Sequence, residues 1–446
     1  MGEYVPDGHT PQTQAKPETQ TKRKMWSDYM SECYHSRRPP QIGSVDVKKI
    51  EQAAREKLKD RQDAFMYVFG NAGTHETFHA NRKELNKWKV IPRQLQDVTH
   101  RSIETTIFGV TYPSPLFLAP IGVHGIVHPD GELATAGAAQ EVGVPMILST
   151  VSSRSLEAVA QANGSGHRWF QLYWPLVPEI TLSFLDRAKR AGYSALVVTV
   201  DTMSLGWRPH DIDTAYLPFY HAVGAQIALT DPAFMKLYGL EPYPHDDVPA
   251  FPYDPAAFDE RVSSGDPRAL ELLRLGDEWM GHLAEGVYRT WDELAFIRKH
   301  WEGPLMVKGI LSVEDAELAL AAGMDGIVVS NHGGRQIDGA IPAIWALEQI
   351  CRSPKIKAAQ LSGRFTVLTD SGIRTGTDIF RAIAIGAQGV LLGRSYIYGL
   401  AVGGKEGVET VVRSILAEFE ITLGLCGHNS IAEIWGRADK VMVKID

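Results

Sequence analysis

The chain has 446 residues, 44% of them apolar and 22% charged, with 41 glycines and a formal charge of −8. That is ordinary globular composition, and the acidic balance argues against nucleic acid or an anionic membrane as the main partner. Three cysteines occur, Cys33, Cys351 and Cys426, too scattered for a disulfide framework or a metal site, so a reducing compartment, the cytoplasm, is expected. No apolar run is long enough for a membrane span, and the N-terminus lacks a secretory core. The C-terminal Val443-Lys444-Ile445-Asp446 is not the peroxisomal tripeptide.

Residues 1–24 are rich in Pro, Thr, Gln and Lys and are expected to form a disordered tail. Residues 25–110 are expected to form a helical N-terminal segment, in which Val45 to Ile50 opens an amphipathic helix. The aromatic run Phe65 to Gly73 fits a buried core. Over residues 111–446 short apolar runs end in polar or small residues, and helical stretches follow. The runs begin at Leu116, Met146, Trp169, Ala195, Leu305, Gly326, Phe365 and Val390. Ser312 is placed to cap one intervening helix, and Gly386 to stop another that runs from Asp378 to Ile385. This alternation of strand and helix predicts an α/β fold, a closed parallel (β/α)8 TIM barrel. A doubly wound open sheet gives a similar pattern, so periodicity alone leaves closure open. Residues 202–288 interrupt the pattern after the fourth strand. Their density of Pro, Tyr, Phe and Asp predicts a partly ordered lid over the carboxyl face.

Polar residues recur where the strands end: Gln171, Tyr173, Thr199, Asp201, Lys308, His332, Arg335, Asp370, Arg374 and Arg394. Barrel closure would bring them to one rim, where barrel enzymes keep their chemistry. Ser330-Asn331-His332-Gly333-Gly334-Arg335-Gln336 is the densest of these segments. It offers a base that titrates near neutral pH and a guanidinium fork for a carboxylate. Asp370 to Gly376 and Gly393-Arg394-Ser395 follow the seventh and eighth strands, the usual phosphate position on this fold. The residues thus imply a phosphate-bearing ligand, a base and a carboxylate clamp. No Rossmann fingerprint is present.

These motifs resemble the FMN-dependent α-hydroxy-acid oxidising family, over roughly Tyr67 to the C-terminus. Ser330 to Gln336 is among its most specific signatures. Ala119 to Val123, Gly206-Trp207-Arg208-Pro209, Thr230-Asp231-Pro232 and Asp370 to Gly376 are most similar to its lactate 2-monooxygenase branch. The resemblance implies that His332 is the base and that Asp201 stabilises its imidazolium. It implies that Arg335 and Tyr67, with Arg208 nearby, bind the substrate carboxylate, and that Tyr173 bonds the substrate hydroxyl. Lys308 would sit at the N1–C2 edge of the flavin. Pro120, Ile121, Gly122, Ser149, Gln171, Thr199 and Ser330 would line the ring system. Asp370, with Ser371 and Gly372, would meet the ribityl chain, and Arg374, Gly393 and Arg394 the phosphate.

The implied reaction is oxidation of an L-2-hydroxy acid by FMN and dioxygen, with His332 removing either the hydroxyl or the Cα proton. In the monooxygenase branch lactate would give acetate, carbon dioxide and water. A plain oxidase releasing keto acid and hydrogen peroxide is the alternative. A dehydrogenase passing electrons to a quinone or haem partner ranks lower, and a barrel that binds FMN or phosphate without catalysis ranks lower still. Met203 and Val151 replace larger aromatics of family members, which implies a reshaped pocket and a substrate bulkier than lactate. Family members are commonly tetramers, so a homo-oligomer, tetrameric or higher, is expected.

Overall fold

The eight apolar runs form eight parallel strands. They are β1 (Leu116–Leu118), β2 (Met146–Ser149), β3 (Arg168–Leu172), β4 (Leu196–Thr199), β5 (Leu305–Ile310), β6 (Gly326–Val329), β7 (Thr366–Thr369) and β8 (Gly389–Leu392). This computed structural model describes residues 25–284 and 286–445, and in it the strands pair in sequence order, with β8 returning to β1. The sheet is therefore a closed barrel, and the open-sheet reading falls. The tail expected over residues 1–24 lies outside the described residues.

Side chains alternate along a strand, so every second residue points into the barrel. Phe117, Ile147, Trp169, Val197, Met306, Val328, Leu368 and Leu391, one from each strand, pack as one interior cluster. The hairpin formed by Thr105–Ile107 and Val110–Tyr112 adds Ile107 and Tyr112 to that cluster. Its turn sets Phe108 5.7 Å from Trp169, and Thr105 bonds the carbonyl of Gln388 just before β8, so the hairpin plugs the amino end. The outward residues, such as Leu116, Leu118 and Leu148, belong instead to the core shared with the helices.

The helices start and stop where local chemistry directs. Ser312 accepts from Asp315 N at 3.0 Å and caps Val313–Ala321. Thr375 and Asp378 form a capping box on Gly376–Ile385, which ends at Gly386. In the N-terminal segment Asp46 caps Val47–Lys57, and Gln62–Phe69 and Glu76–Lys87 follow. Trp88–Val90 pairs antiparallel with Met442–Lys444, tying this segment to the chain's end.

The insertion is more regular than its composition suggests. Its longer helices are Pro232–Leu237, Pro255–Ser263 and Pro267–Ala284. Each opens on an Asp-Pro pair. Asp231 accepts from Ala233 N and Phe234 N, Asp254 from Ala257 N, and Asp266 from Arg268 N and Ala269 N. Proline at the first helical position costs no hydrogen bond there. Five of the nine prolines in residues 202–288 thus open helices, while Pro242, Pro244, Pro249 and Pro252 lie in an irregular stretch. Arg187, on Pro178–Arg190, holds the insertion to the barrel. It bonds Asp231 at 3.0 Å, Thr230 at 2.8 Å and the carbonyl of Ile227 at 2.8 Å, while Glu157 pairs with it from the barrel side.

Candidate active site

The strand alternation that builds the interior cluster also builds the site. Two residues further along each strand lie Ala119, Ser149, Gln171, Thr199, Lys308, Ser330, Asp370 and Gly393. They form a mostly polar ring one layer above the apolar cluster, at the carboxyl mouth. Neighbours in the ring are bonded. Ser149 donates to Gln171 Oε1 at 3.1 Å, and Gln171 Nε2 donates to Thr199 Oγ1 at 2.9 Å. Lys308 Nζ donates to Ser330 Oγ at 3.1 Å and lies 3.5 Å from Asp370 Oδ2. Burial opposes the charge on Lys308, but Asp370 and Asp201 beside it raise its pKa above the ordinary lysine value.

The loop after β6 presents His332. Its φ of +57° is a left-handed conformation that non-glycine residues avoid. Three contacts impose it. Ser330 Oγ accepts from His332 N at 3.0 Å, Ser371 Oγ accepts from Gly333 N at 3.1 Å, and Asn331 Oδ1 accepts from Gly334 N at 3.1 Å. Asn331 is in turn locked by a reciprocal amide pair with Asn81 at 2.7 and 2.9 Å. His332 Nδ1 lies 2.9 Å from Asp201 Oδ1, and Thr202 Oγ1 stands 3.3 Å from the same nitrogen. This pairing turns Nε2 toward the cavity. Burial pushes the imidazole below its ordinary pKa, partly countered by Asp201, so the ring is neutral at neutral pH. Burial pushes the Asp201 carboxyl up, but His332, protonated in the acid range where Asp201 titrates, and the charge of Lys308 outweigh it and hold Asp201 at about 2.

Room for Asp201 comes from Gly309. It sits at a register shift between Lys308 and Ile310, with φ +108°. A Cβ there would stand 2.7 Å from Asp201 Cβ, so no larger residue fits.

Four guanidiniums converge on the same cavity. Arg335 Nη1 donates to the carbonyls of Tyr67 (2.7 Å), Val68 (3.3 Å) and Gly70 (2.7 Å), at the C-terminal end of Gln62–Phe69. Arg394 uses the same helix end, through Val68 O at 3.0 Å, and also bonds Asn71 Oδ1 at 2.5 Å. The carboxyl end of a helix attracts cations, so the N-terminal segment orients both arginines. Arg208 donates to Arg335 O at 3.0 Å and to Gln336 Oε1 at 2.8 Å. Burial and the nearby Arg335 push Arg208 down to about 10, and burial with the neighbouring arginines pushes Arg394 to about 9. Arg374 is lowered by burial as well.

The cavity opens at the carboxyl mouth of the barrel and is lined by residues of the strand ends, the loops after them and the insertion. Of the residues expected at the site, Tyr67, Pro120, Ile121, Gly122, Tyr173 and Arg208 line it. So do Lys308, His332, Arg335, Asp370, Ser371, Gly372, Arg374, Gly393 and Arg394. Ser149, Gln171, Thr199 and Ser330 lie in the ring rather than in the wall, and Asp201 stands behind His332. Val151 lines the cavity, but Met203 does not. It lines a small pocket behind Tyr173, so only one of the two replacements reshapes the main space.

Sequence reading missed the apolar half. Leu205, Phe219, Met280, Leu283 and Ala284 come from the insertion and line the cavity. Met280, Leu283 and Ala284 recur at three- and four-residue spacing on one helix face, a signal the sequence does carry. Asp211 was also missed. It is buried, neither carboxylate oxygen has a hydrogen-bond partner, and Arg208 Nη1 lies 4.0 Å away. Nothing in its local sequence marks it.

The donor set fits FMN. Arg208, Arg335, Arg374, Arg394 and Lys308 surround the cavity against three carboxylates, Asp201, Asp211 and Asp370. A phosphate and a substrate carboxylate would redress that balance. Gly393 precedes the helix Arg394–Leu425 without a side-chain cap, and the N-terminus of such a helix attracts phosphate.

Comparison with known proteins agrees. Residues 54–440 match the model of the FMN-dependent dehydrogenase family. An FMN-dependent alpha-hydroxy acid dehydrogenase, qulF, of Penicillium citrinum is 40% identical over 412 residues, 92% of this chain and 94% of the relative. An L-lactate oxidase of Lysinibacillus sphaericus is 38% identical, covering 86% and 89% of the two chains. The crystal structure of a mandelate oxidase with (S)-2-phenylpropionate superposes with a TM-score of 0.69 at 34% identity, over 88% of this chain and 97% of that one. With a closed barrel whose mouth suits this cofactor, the chain belongs to the FMN-dependent dehydrogenase family and is an α-hydroxy-acid oxidoreductase that uses FMN.

Proposed function

We propose that the chain oxidises an (S)-2-hydroxy acid with an apolar side chain larger than methyl, with dioxygen as the final acceptor. The observation that carries this reading is the division of one cavity into two halves. His332, Tyr173, Arg208 and Arg335 form the polar half, and Val151, Phe219, Met280 and Leu283 the apolar half.

Arg208 and Arg335 bind the substrate carboxylate as paired forks, beside the ring of Tyr67. Tyr173, whose phenol is pushed up to about 12 chiefly by burial, stays protonated and donates to the substrate hydroxyl. The neutral Nε2 of His332 takes a proton from the substrate, and Asp201 stabilises the resulting imidazolium. FMN, when bound, accepts the two electrons that leave the substrate carbon. Lys308 stays charged and would offset negative charge on the bound ring. Arg374, Gly393 and Arg394, which line the cavity, would hold the phosphate, Asp370, Ser371 and Gly372 the ribityl chain, and Pro120, Ile121 and Gly122 one face of the ring. The apolar half excludes water and receives the substrate's side chain.

For product fate, release of keto acid with hydrogen peroxide is the alternative reading. The monooxygenase outcome, in which retained keto acid is decarboxylated, is favoured by one observation. Phe219, Met280, Leu283 and Ala284 of the helical insertion line the cavity and would slow release. The test is anaerobic bleaching of the yellow protein by (S)-lactate, (S)-2-hydroxyisocaproate and (S)-mandelate, followed by product analysis in air. Bleaching should favour the two larger acids, and His332→Gln should abolish it while retaining FMN. Normal bleaching in that variant would end the assignment.

A further inference from the structure

We infer that the substrate carries an apolar tail longer than the enclosed cavity, and that an exposed rim at the mouth binds it. The inference rests on the 2-hydroxy-acid reading above and specifies its substrate class. Five apolar side chains from three segments make the rim: Leu205, Trp207, Val287, Tyr288 and Ile337. Trp207 and Tyr288 are each 70% exposed, and Ile337 65%.

Hydrogen bonds knit the three segments together. Gln336 Nε2 donates to Ser204 O at 3.0 Å, and Gln336 Oε1 accepts from Gly206 N at 3.2 Å. Tyr288 donates to Ser204 Oγ at 3.1 Å, and Gly286 N to Met203 O at 3.1 Å. No charged residue occurs within residues 203–207 or 286–288, and in the third segment Asp338, next to Ile337, is bonded to Thr74 and to Glu76 N. Leu205 both lines the cavity and reaches solvent, so one apolar side chain links the inside of the cavity to the surface on which the rim lies. Single exposed apolar residues are ordinary, but grouped ones mark a binding surface.

Continuity with the cavity selects the occupant. A second copy of the chain would need about 800 Å² per partner for stable association, so it would have to cover surface beyond these five side chains. A substrate tail needs only to follow Leu205 outward. The carboxylate and hydroxyl bind deep, so the tail is alkyl or aryl, uncharged, and long enough to cross the mouth.

Two measurements on the FMN-loaded protein test this. The first is kcat/KM for anaerobic bleaching along straight-chain (S)-2-hydroxy acids from three to twelve carbons. The second is Kd for the matching unreactive carboxylates, read from the flavin absorbance shift. Both should improve with length, by roughly fourfold per methylene inside the cavity and about twofold along the open rim. Trp207→Ser/Ile337→Ser, which leaves the Tyr288–Ser204 bond intact, should erase the gain of the longest members and leave the shortest unchanged. A flat length dependence overturns the inference, as does a gain that survives in the double variant. A change in oligomer mass in that variant also overturns it, because the rim would then be a self-interface. If no hydroxy acid bleaches the flavin while carboxylate Kd still falls with length and the variant abolishes the trend, the function reading fails and the rim stands.

Discussion

His332 is held in a left-handed backbone conformation that costs roughly 1–3 kcal/mol, and that cost is offset by Ser330, Asn331 and Ser371 around it. The result is a fixed Nδ1–Asp201 contact and a neutral Nε2, which sets the pH response. The base works only when deprotonated, and burial keeps its pKa below the ordinary value of about 6.5. Flavin reduction should therefore be flat above neutral pH and fall as pH drops through a limb below about 6.5. Asp201 raises that pKa, so Asp201→Asn should move the limb to still lower pH and reduce the plateau by about a hundredfold or more. Stopped-flow pH profiles of both proteins read this, and a limb that moves upward would break the pairing argument. His332, Arg335 and Asp370 were legible because each sits in a dense motif after an apolar run. Ser149, Gln171 and Thr199 carry no motif of their own. Gln171 and Thr199 were legible as polar residues ending apolar runs and Ser149 through the family resemblance, and all three lie two residues on from the inward residue of their strands. Asp211 and Thr202 were not legible, because their partners lie across the fold rather than along the chain.

All eight strands could be read from the sequence, because a strand buried on both faces is a continuous apolar run bounded by polar residues. Closure could not, since the pairing of β8 with β1 joins segments more than 270 residues apart. The helices within the insertion were not legible because Asp-Pro pairs read as loop until their capping bonds are seen. Its anchoring is concentrated in Arg187, whose partner Asp231 is fully buried. Arg187→Met would leave that carboxylate without its cation, and breaking one side of a buried pair costs about 3–5 kcal/mol. The loss should fall on the insertion first. Limited proteolysis should cut within residues 202–288 while bound FMN is retained, and KM for the hydroxy acid should rise more than kcat falls. An unchanged cleavage pattern and melting temperature would show that the packing of Trp279 against Phe184 and Phe234 holds the insertion without Arg187.

Across the whole molecule, the N-terminal segment, the insertion and the barrel each deliver charge to one cavity. The end of Gln62–Phe69 orients Arg335 and Arg394, the insertion brings Arg208, and the turn after β7 brings Arg374. Arg208 and Arg394 are both lowered, first by burial and then by repulsion from neighbouring arginines, so a bound anion would favour their cationic forms. Binding of FMN and of a substrate carboxylate should relieve that repulsion and link all three parts of the chain. Protein stripped of FMN should therefore melt at lower temperature than the holoprotein. A free FMN concentration one hundred times Kd should return about 2.7 kcal/mol. Inorganic phosphate should raise the melting temperature of the stripped protein more than chloride at equal ionic strength, because a specific anion site responds to phosphate geometry and not to screening alone. Arg374→Gln should remove most of that phosphate effect and weaken FMN binding. Equal effects of phosphate and chloride, or a phosphate response untouched in Arg374→Gln, would mean that the arginine cluster is not the element by which the cofactor stabilises the fold.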